Sequence, residues 1–323
     1  MKILSPLTST EEVKPLVESG ADEFYCGLLS KEWDKNYTRV GSQNKRYWES
    51  NHFHSFDDLK KAVKIAHSFE KPVFLTVNAQ FYTKKQYPIL VEELKKTIES
   101  GVDSLIIADP ALLMNLKNLD LDIDFHISSI AAAFNSGAAD FYKKLGASRI
   151  MLPRQITMND VKQISKSNIQ LEAFILNERC WNIDGLCTFN HGIESKNGEK
   201  HDGCSLPYQL MIVNNNPSKL NIMRNNRRIR KQVLLKSNSM CHNECGICSL
   251  YYFEKYNVCS VKIVGRGHPI EMKVKYVNYI KEAMNLLKNS KSFLEFQKKA
   301  QKLYSSYFNY SCNDINCYYS DLL

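Results

Sequence analysis

One short joint occurs three times in the first half of the chain: Glu18-Ser19-Gly20-Ala21-Asp22, Glu99-Ser100-Gly101-Val102-Asp103 and Lys144-Leu145-Gly146-Ala147-Ser148. In each, a glycine just past an amphipathic stretch supplies the left-handed residue that ends a helix, and the small or apolar residue after it leads into a buried strand. The joints precede short apolar runs at residues 23–25, 104–107 and 149–152, and similar runs lie at 73–77, 124–127 and 171–176. Such runs alternating with amphipathic stretches read as β/α units. Because the joint recurs at irregular spacing, the pattern fits a parallel, barrel-like sheet and not a solenoid of fixed period. The expected fold is α/β, a TIM-barrel-like (β/α) barrel.

Helices are expected at 56–69 behind Ser55, at 84–99 behind Thr83 and at 158–166 behind Thr157, each cap residue offering a side-chain oxygen to the first turn. From 177 to 258 the periodicity breaks down into Asn, Cys, Gly and basic residues. A last unit follows, with a strand at 260–264, a Gly265-Arg266-Gly267 turn and helices at 273–288 and 292–307. The organisation expected is the main part of the barrel over 1–176, a cysteine-rich insertion over 177–258, the final β/α unit over 259–290 and a short C-terminal helix and irregular tail over 291–323. No apolar run approaches the roughly 20 residues of a spanning helix, and Met1-Lys2-Ile3-Leu4-Ser5-Pro6 lacks the apolar core of a secretory signal. A cytoplasmic location with no membrane partner is the expectation.

A reducing cytosol offers no lasting disulfides, so the ten cysteines need another reason. Cys26 stands alone near the start. Cys180, Cys187, Cys204, Cys241, Cys245, Cys248 and Cys259 follow in or beside the irregular region, and Cys312 and Cys317 lie in the tail. Thiolates select zinc or iron-sulfur clusters, and sets of four suit either. Only one C-x2-C knuckle occurs, which favours a cluster held by dispersed ligands over a zinc finger. The C-x3-C-x2-C run at Cys241, Cys245 and Cys248 also has the spacing of radical S-adenosylmethionine enzymes, but it lies behind six strand candidates instead of after the first. Buried thiols used as small apolar fillers are the bland alternative.

The segment from Glu172 to Cys187 resembles the signature of the collagenase-like peptidase family, U32, in which Glu-x-Phe and a turn precede Cys-x4-Gly-x-Cys. Glu172, Phe174, Cys180, Gly185 and Cys187 match it, with Asn177 where the family has glycine. Further matches follow in the family's order: Gly20-Ala21-Asp22, Asp109-Pro110, His126-Ile127-Ser128-Ser129, Arg154, Cys204 with Leu206-Pro207-Tyr208, and Lys262-Ile263-Val264-Gly265-Arg266. Despite the name, the resemblance implies an oxygen-independent hydroxylation protein carrying a 4Fe-4S cluster, acting on RNA or a ubiquinone precursor, with prephenate as oxygen source. It implies Cys180, Cys187 and Cys204 as ligands, with Cys248 as the fourth and Cys245 as the alternative. It also implies a partner subunit of the same family.

Under that reading the carboxylates of an anionic co-substrate need guanidinium forks, and Arg154 and Arg266 at strand ends are the candidates. His126 is the candidate proton shuttle and Glu172 the candidate carboxylate before the cysteines; the bland alternatives are a core histidine and salt bridges in the barrel. Arg224, Arg227, Arg228, Arg230 and Lys231 place five cations in eight residues, with Tyr208 and Trp181 available to stack on an unpaired base. The net charge of +9 agrees with an anionic partner. Two other function classes remain open at this point. A peptidase using Cys26 with His126 survives through the family name, although neither a Gly-x-Ser-x-Gly elbow nor a His-Glu-x-x-His helix occurs. The other is a zinc-stabilised RNA-binding module.

Overall fold

The computed structural model describes residues 1–37, 43–44, 46, 48–119, 121–180, 182–189, 191, 193–194, 200–205, 243–313 and 316–323. The strands are β1 (Lys2–Pro6), β2 (Glu23–Cys26), β3 (Val73–Val77), β4 (Ser104–Ile107), β5 (Asp124–Ile127), β6 (Arg149–Met151), β7 (Gln170–Leu176), a small antiparallel ribbon of β8 (Ile193–Glu194) and β9 (Lys200–His201), and β10 (Val258–Ile263). The eight strands other than the ribbon are parallel and close into a barrel in the order β1-β10-β7-β6-β5-β4-β3-β2. Seven of them lie where the apolar runs place them. The strand that closes the barrel, β1, was not among the expected ones, because five residues ending in proline carry too little period to be read as a strand.

The recurring joints behave as the sequence predicts: Gly20, Gly101 and Gly146 have φ of 110°, 90° and 96°. Ser55 accepts a hydrogen bond from the Asp58 amide, and Thr157 with Asp160 forms a reciprocal capping box. The expected helix behind Thr83 begins later, as Tyr87–Glu99, because the Gln86 side chain accepts from both the amide and the hydroxyl of Thr83. Pro88 then occupies the first turn, where its missing N–H loses no bond.

Alternation along the strands produces two apolar layers. Phe24, Cys26, Leu75, Val77, Leu105 and Ile107 belong to the large core between sheet and helices, whereas Leu4, Tyr25, Phe74 and Ile106 form a separate cluster. Toward the amino-terminal ends of the strands, buried charges pair with one another. Glu23 is fully buried and receives Arg149 Nη1 at 2.7 Å, Arg149 Nη2 at 3.0 Å, Lys2 Nζ at 2.9 Å and Ser260 Oγ at 2.9 Å. Glu172 lies 3.6 Å from Arg149 and 3.3 Å from Lys262.

The end of the expected insertion belongs to the barrel itself, since Ile247, Leu250 and Phe253 of the turn and helix before β10 enter the large core. The tail also differs from the irregular segment expected of it. After helices Ile270–Lys288 and Phe293–Phe308 the chain returns to the barrel, where Cys317, Tyr318 and Tyr319 are buried. Tyr319 Oη donates to the Phe174 carbonyl at 2.8 Å, and Tyr318 Oη donates to the Asn177 carbonyl. Among the described residues no helix is long and apolar enough to cross a membrane.

Candidate functional site

Groups just past the carboxyl ends of parallel barrel strands form the face where such folds do chemistry. Arg266, in the turn after β10, is buried there. Its Nη1 donates to Thr76 Oγ1 at 2.8 Å and its Nη2 to Asn44 Oδ1 at 3.3 Å. Thr76 in turn donates to the Cys26 carbonyl at 2.7 Å. Among the described residues no carboxylate stands within 4.0 Å of this guanidinium, and burial pushes its pKa down to about 10. Gly27 makes room for it, because a Cβ at that position would lie 2.2 Å from Arg266 Nη1. His52 completes this wall. Asn44 Nδ2 lies 3.3 Å from its Nδ1, and its Nε2 lies 3.1 Å from the Arg46 carbonyl, the pattern of a neutral ring protonated on Nε2. Burial and the Arg266 charge hold its pKa down at about 3.

Arg154 has a different environment. Its Nη1 lies 3.0 and 3.1 Å from the two oxygens of Asp184, its backbone N–H donates to the same carboxylate at 3.1 Å, and its guanidinium lies 3.8 Å over the Phe174 ring. Asp184 sits in the loop that carries Cys180 and Cys187, so this arginine docks the loop. Gln155 Nε2 adds bonds to the carbonyls of Cys180 (2.9 Å) and Asn182 (2.8 Å), and Gln80 Nε2 one to that of Gly185 (2.6 Å). Burial raises the Cys180 thiol; Arg154 opposes that, and neighbouring Cys187 adds to it. The two thiols are therefore electrostatic neighbours on a well-fastened loop.

That loop leaves β7 through two consecutive left-handed residues, Asn177 at φ 66° and Glu178 at φ 48°. Asn177 stands where the signature has glycine and takes the left-handed conformation that asparagine tolerates, and the second departure brings Glu178 to 3.1 Å from Arg46 Nη2 and 3.4 Å from His268 Nε2. Burial works against its charge, but Arg46, His268 and Arg154 outweigh it and hold the Glu178 carboxyl at about 2. Beside it, burial raises Glu244 to about 7, and its Oε2 has no partner among the described residues.

The remaining candidates are dispersed. His126 lies inside the barrel, 4.6 Å ring to ring from Phe74; burial, with Arg149 and Lys262, pushes its pKa well below the ordinary range, and its Nδ1 has no partner among the described residues. Glu172 belongs to the paired charges of the barrel interior, as the salt-bridge alternative holds. Cys26 belongs to the outer core, and burial pushes its thiol up to about 12. It therefore does not form a pair with His126, whose ring lies in the interior layer. Cys204 occupies the 3-10 turn Gly203–Ser205, and neighbouring Asp202 lies 3.2 Å from His191 Nδ1. Cys248, expected as the fourth ligand, and Cys245, its alternative, line a cavity with Cys312 and Cys317. Trp181, Tyr208, Cys241 and the basic run from Arg224 to Lys231 lie outside the described residues. Thr76, Asn44, Asp184 and Glu244 carry no motif, and sequence reading passes them over; only the buried arginines they surround could have drawn attention to their neighbours.

A sequence profile described as peptidase family U32 matches residues 8–320. "tRNA hydroxylation protein P" of Helicobacter pylori (strain J99) is 25% identical over 66% of this chain and 49% of its own length. An "uncharacterized protease" of Methanocaldococcus jannaschii is 26% identical over 100% of this chain and 74% of its own length. The chain thus spans about half the length of the tRNA hydroxylation protein it matches. A solved structure titled as a U32 peptidase overlays with a TM-score of 0.43 at 17% identity, covering 55% of this chain and 69% of that one.

Proposed function

The chain belongs to peptidase family U32, and on that premise we propose that it is an oxygen-independent hydroxylation factor acting on RNA, with a small dicarboxylate as co-substrate. The relatives named for tRNA hydroxylation support the reaction class. The observation that carries the co-substrate is Arg266: a guanidinium buried among neutral oxygens carries a desolvation cost that a bound carboxylate offsets. Prephenate has the matching chemistry.

The thiols of Cys180, Cys187 and Cys204 fit a 4Fe-4S cluster as a donor set, the first two being neighbours on a fastened loop. Cys248 is the proposed fourth ligand, with Cys245 as the alternative. Once bound, such a cluster supplies electron transfer or a Lewis-acidic iron. The chain's own groups bind and position. Arg266 fixes the anion, Glu178 holds Arg46 and His268 at the mouth, and Glu244, near pH 7 in its pKa, takes or gives a proton. The basic run from Arg224 to Lys231 engages RNA phosphates, and a second subunit of the same family completes the assembly.

The test is mass spectrometry of RNA nucleosides from cells lacking this gene and complemented with wild type, Arg266→Met or Cys187→Ser. A hydroxylated nucleoside restored by wild type alone is the expected result. Identical nucleoside profiles in all three complemented strains and the uncomplemented one overturn the RNA reading, and anaerobically purified protein without iron and acid-labile sulfide overturns the cluster.

A further inference from the structure

One pleat above the contact between Arg266 and Thr76, the barrel interior holds a polar pair that the function above does not use. Val77, Ile107 and Ile127 are level across β3, β4 and β5 and belong to the large outer core. The next residues, Asn78, Ala108 and Ser128, therefore face the interior, by the alternation that puts Phe74 and Ile106 there. Asn78 Nδ2 donates to Ser128 Oγ at 2.9 Å. Neighbouring strands lie about 4.8 Å apart, so the pair reaches across two strand spacings, and the small Ala108 between them leaves room for it.

That bond uses only part of each group. Asn78 Oδ1 is buried and has no partner among the described residues. Ser128 is buried and caps no amide of the 3-10 turn it precedes, so its hydroxyl keeps a proton to donate. Exchanging the nitrogen and oxygen of the amide exchanges the roles and again leaves one donor and one acceptor. Thr76, by contrast, is fully used, accepting from Arg266 and donating to the Cys26 carbonyl. Three contacts set the pair between the anion site and the cysteine loop. Thr76 lies two residues before Asn78, about 7 Å along the same face of the strand. Ala79 N–H donates to the Gln43 carbonyl at 3.0 Å, which holds the segment beside Asn44, the other partner of Arg266. On the far side Gln80 grips the Gly185 carbonyl, and Gly185 packs on the segment after Ser128, where a Cβ would lie 2.7 Å from the Ile130 carbonyl oxygen and 2.8 Å from Ala132 Cβ.

We propose that Asn78 and Ser128 form a hydroxyl-recognition subsite, so that the small dicarboxylate held by Arg266 must also carry an alcohol. This rests on the co-substrate reading above and narrows it from dicarboxylates to hydroxylated ones. A hydroxyl donates and accepts at one oxygen, and the two free positions flank a single hydrogen bond, so one oxygen reaches both. A buried acceptor without a partner carries a cost that such a hydroxyl offsets. A carboxylate in the same place would face the lone pairs of Oδ1. Prephenate, with carboxylates at one end of its ring and an alcohol at the other, has the required layout.

The test is calorimetry of the full chain, purified anaerobically, with prephenate and with its 4-deoxy analogue, for wild type, Ser128→Ala, Asn78→Ala and the double variant. Wild type should prefer prephenate by about tenfold or more, and the preference should fall to within about twofold in the double variant. A purely structural role would shift both affinities together, so a ratio that survives the substitutions overturns the proposal, as does a wild type that binds the two ligands equally. A wild type that binds neither ligand, or an Arg266→Met variant that binds both as tightly as wild type, overturns the dicarboxylate reading and the subsite with it. If the Asn78 variants do not fold, Ser128→Ala decides alone: a fall of about threefold or more in the preference supports the subsite, and a smaller one refutes it.

Discussion

The two ends of the barrel treat buried charge in opposite ways. At the amino-terminal end Arg149 lies against Glu23 and Glu172, and Glu23 also receives Lys2 and Ser260, so the cations and carboxylates compensate within the chain. At the carboxyl end Arg266 is buried to a similar degree, but among the described residues its guanidinium is bonded only to the neutral Thr76 and Asn44. A charge that the chain neutralises itself serves the fold. A charge left for something else to neutralise marks where a ligand belongs. Arg154, at the same mouth, falls on the structural side of that line because Asp184 satisfies it.

The largest expected effect breaks the lower network. Arg149→Met removes the buried cation that Glu23 and Glu172 share, leaving Glu23 with Lys2 and Ser260 and Glu172 with Lys262, and should cost about 3–5 kcal/mol in denaturant unfolding, whereas Arg266→Met should leave stability within about 1 kcal/mol of wild type or raise it. Equal losses would erase the contrast. Second in size is binding: calorimetric affinity for prephenate should fall about 100-fold in Arg266→Met and stay near wild type in Arg149→Lys variants that fold. Gly27→Ala sharpens the argument without touching a charge, since the new methyl would meet Arg266 Nη1. It should cost about 1–3 kcal/mol of stability and weaken prephenate binding by displacing the guanidinium.

The smallest effect concerns pH. Glu244 is raised in the folded chain from the ordinary 4.5 to about 7, so the stability it contributes is intact below about pH 4.5 and is lost as pH rises through 7. Glu244→Gln should therefore melt higher than wild type at pH 8, by about 2–4 °C for each kcal/mol recovered, with the gap closing by pH 4.5. A gap that is constant with pH would place the effect in packing.

Much of this architecture is legible in the sequence, for identifiable reasons. Glycines that must be left-handed, capping residues and buried parallel strands leave local marks, and Gly20, Gly101, Gly146, Ser55 and Thr157 all behave as read. Partners brought in by closure leave none. Thr76 and Asn44 are unremarkable until a barrel places them around Arg266, and the grouping of Cys245 with Cys317 depends on a tail that returns across the molecule.

The pairing of β1 with β10 also sets a timetable for the newborn chain. Strands β1 to β7 can assemble as an open sheet, but the closing strand begins at Val258, about 80 residues after β7 ends. At roughly 5–20 residues per second those residues take several seconds to synthesise, and throughout that interval the free edges of β1 and β7 are exposed to other chains. The cysteine-rich segment is made in that same window, before the barrel that will support it exists.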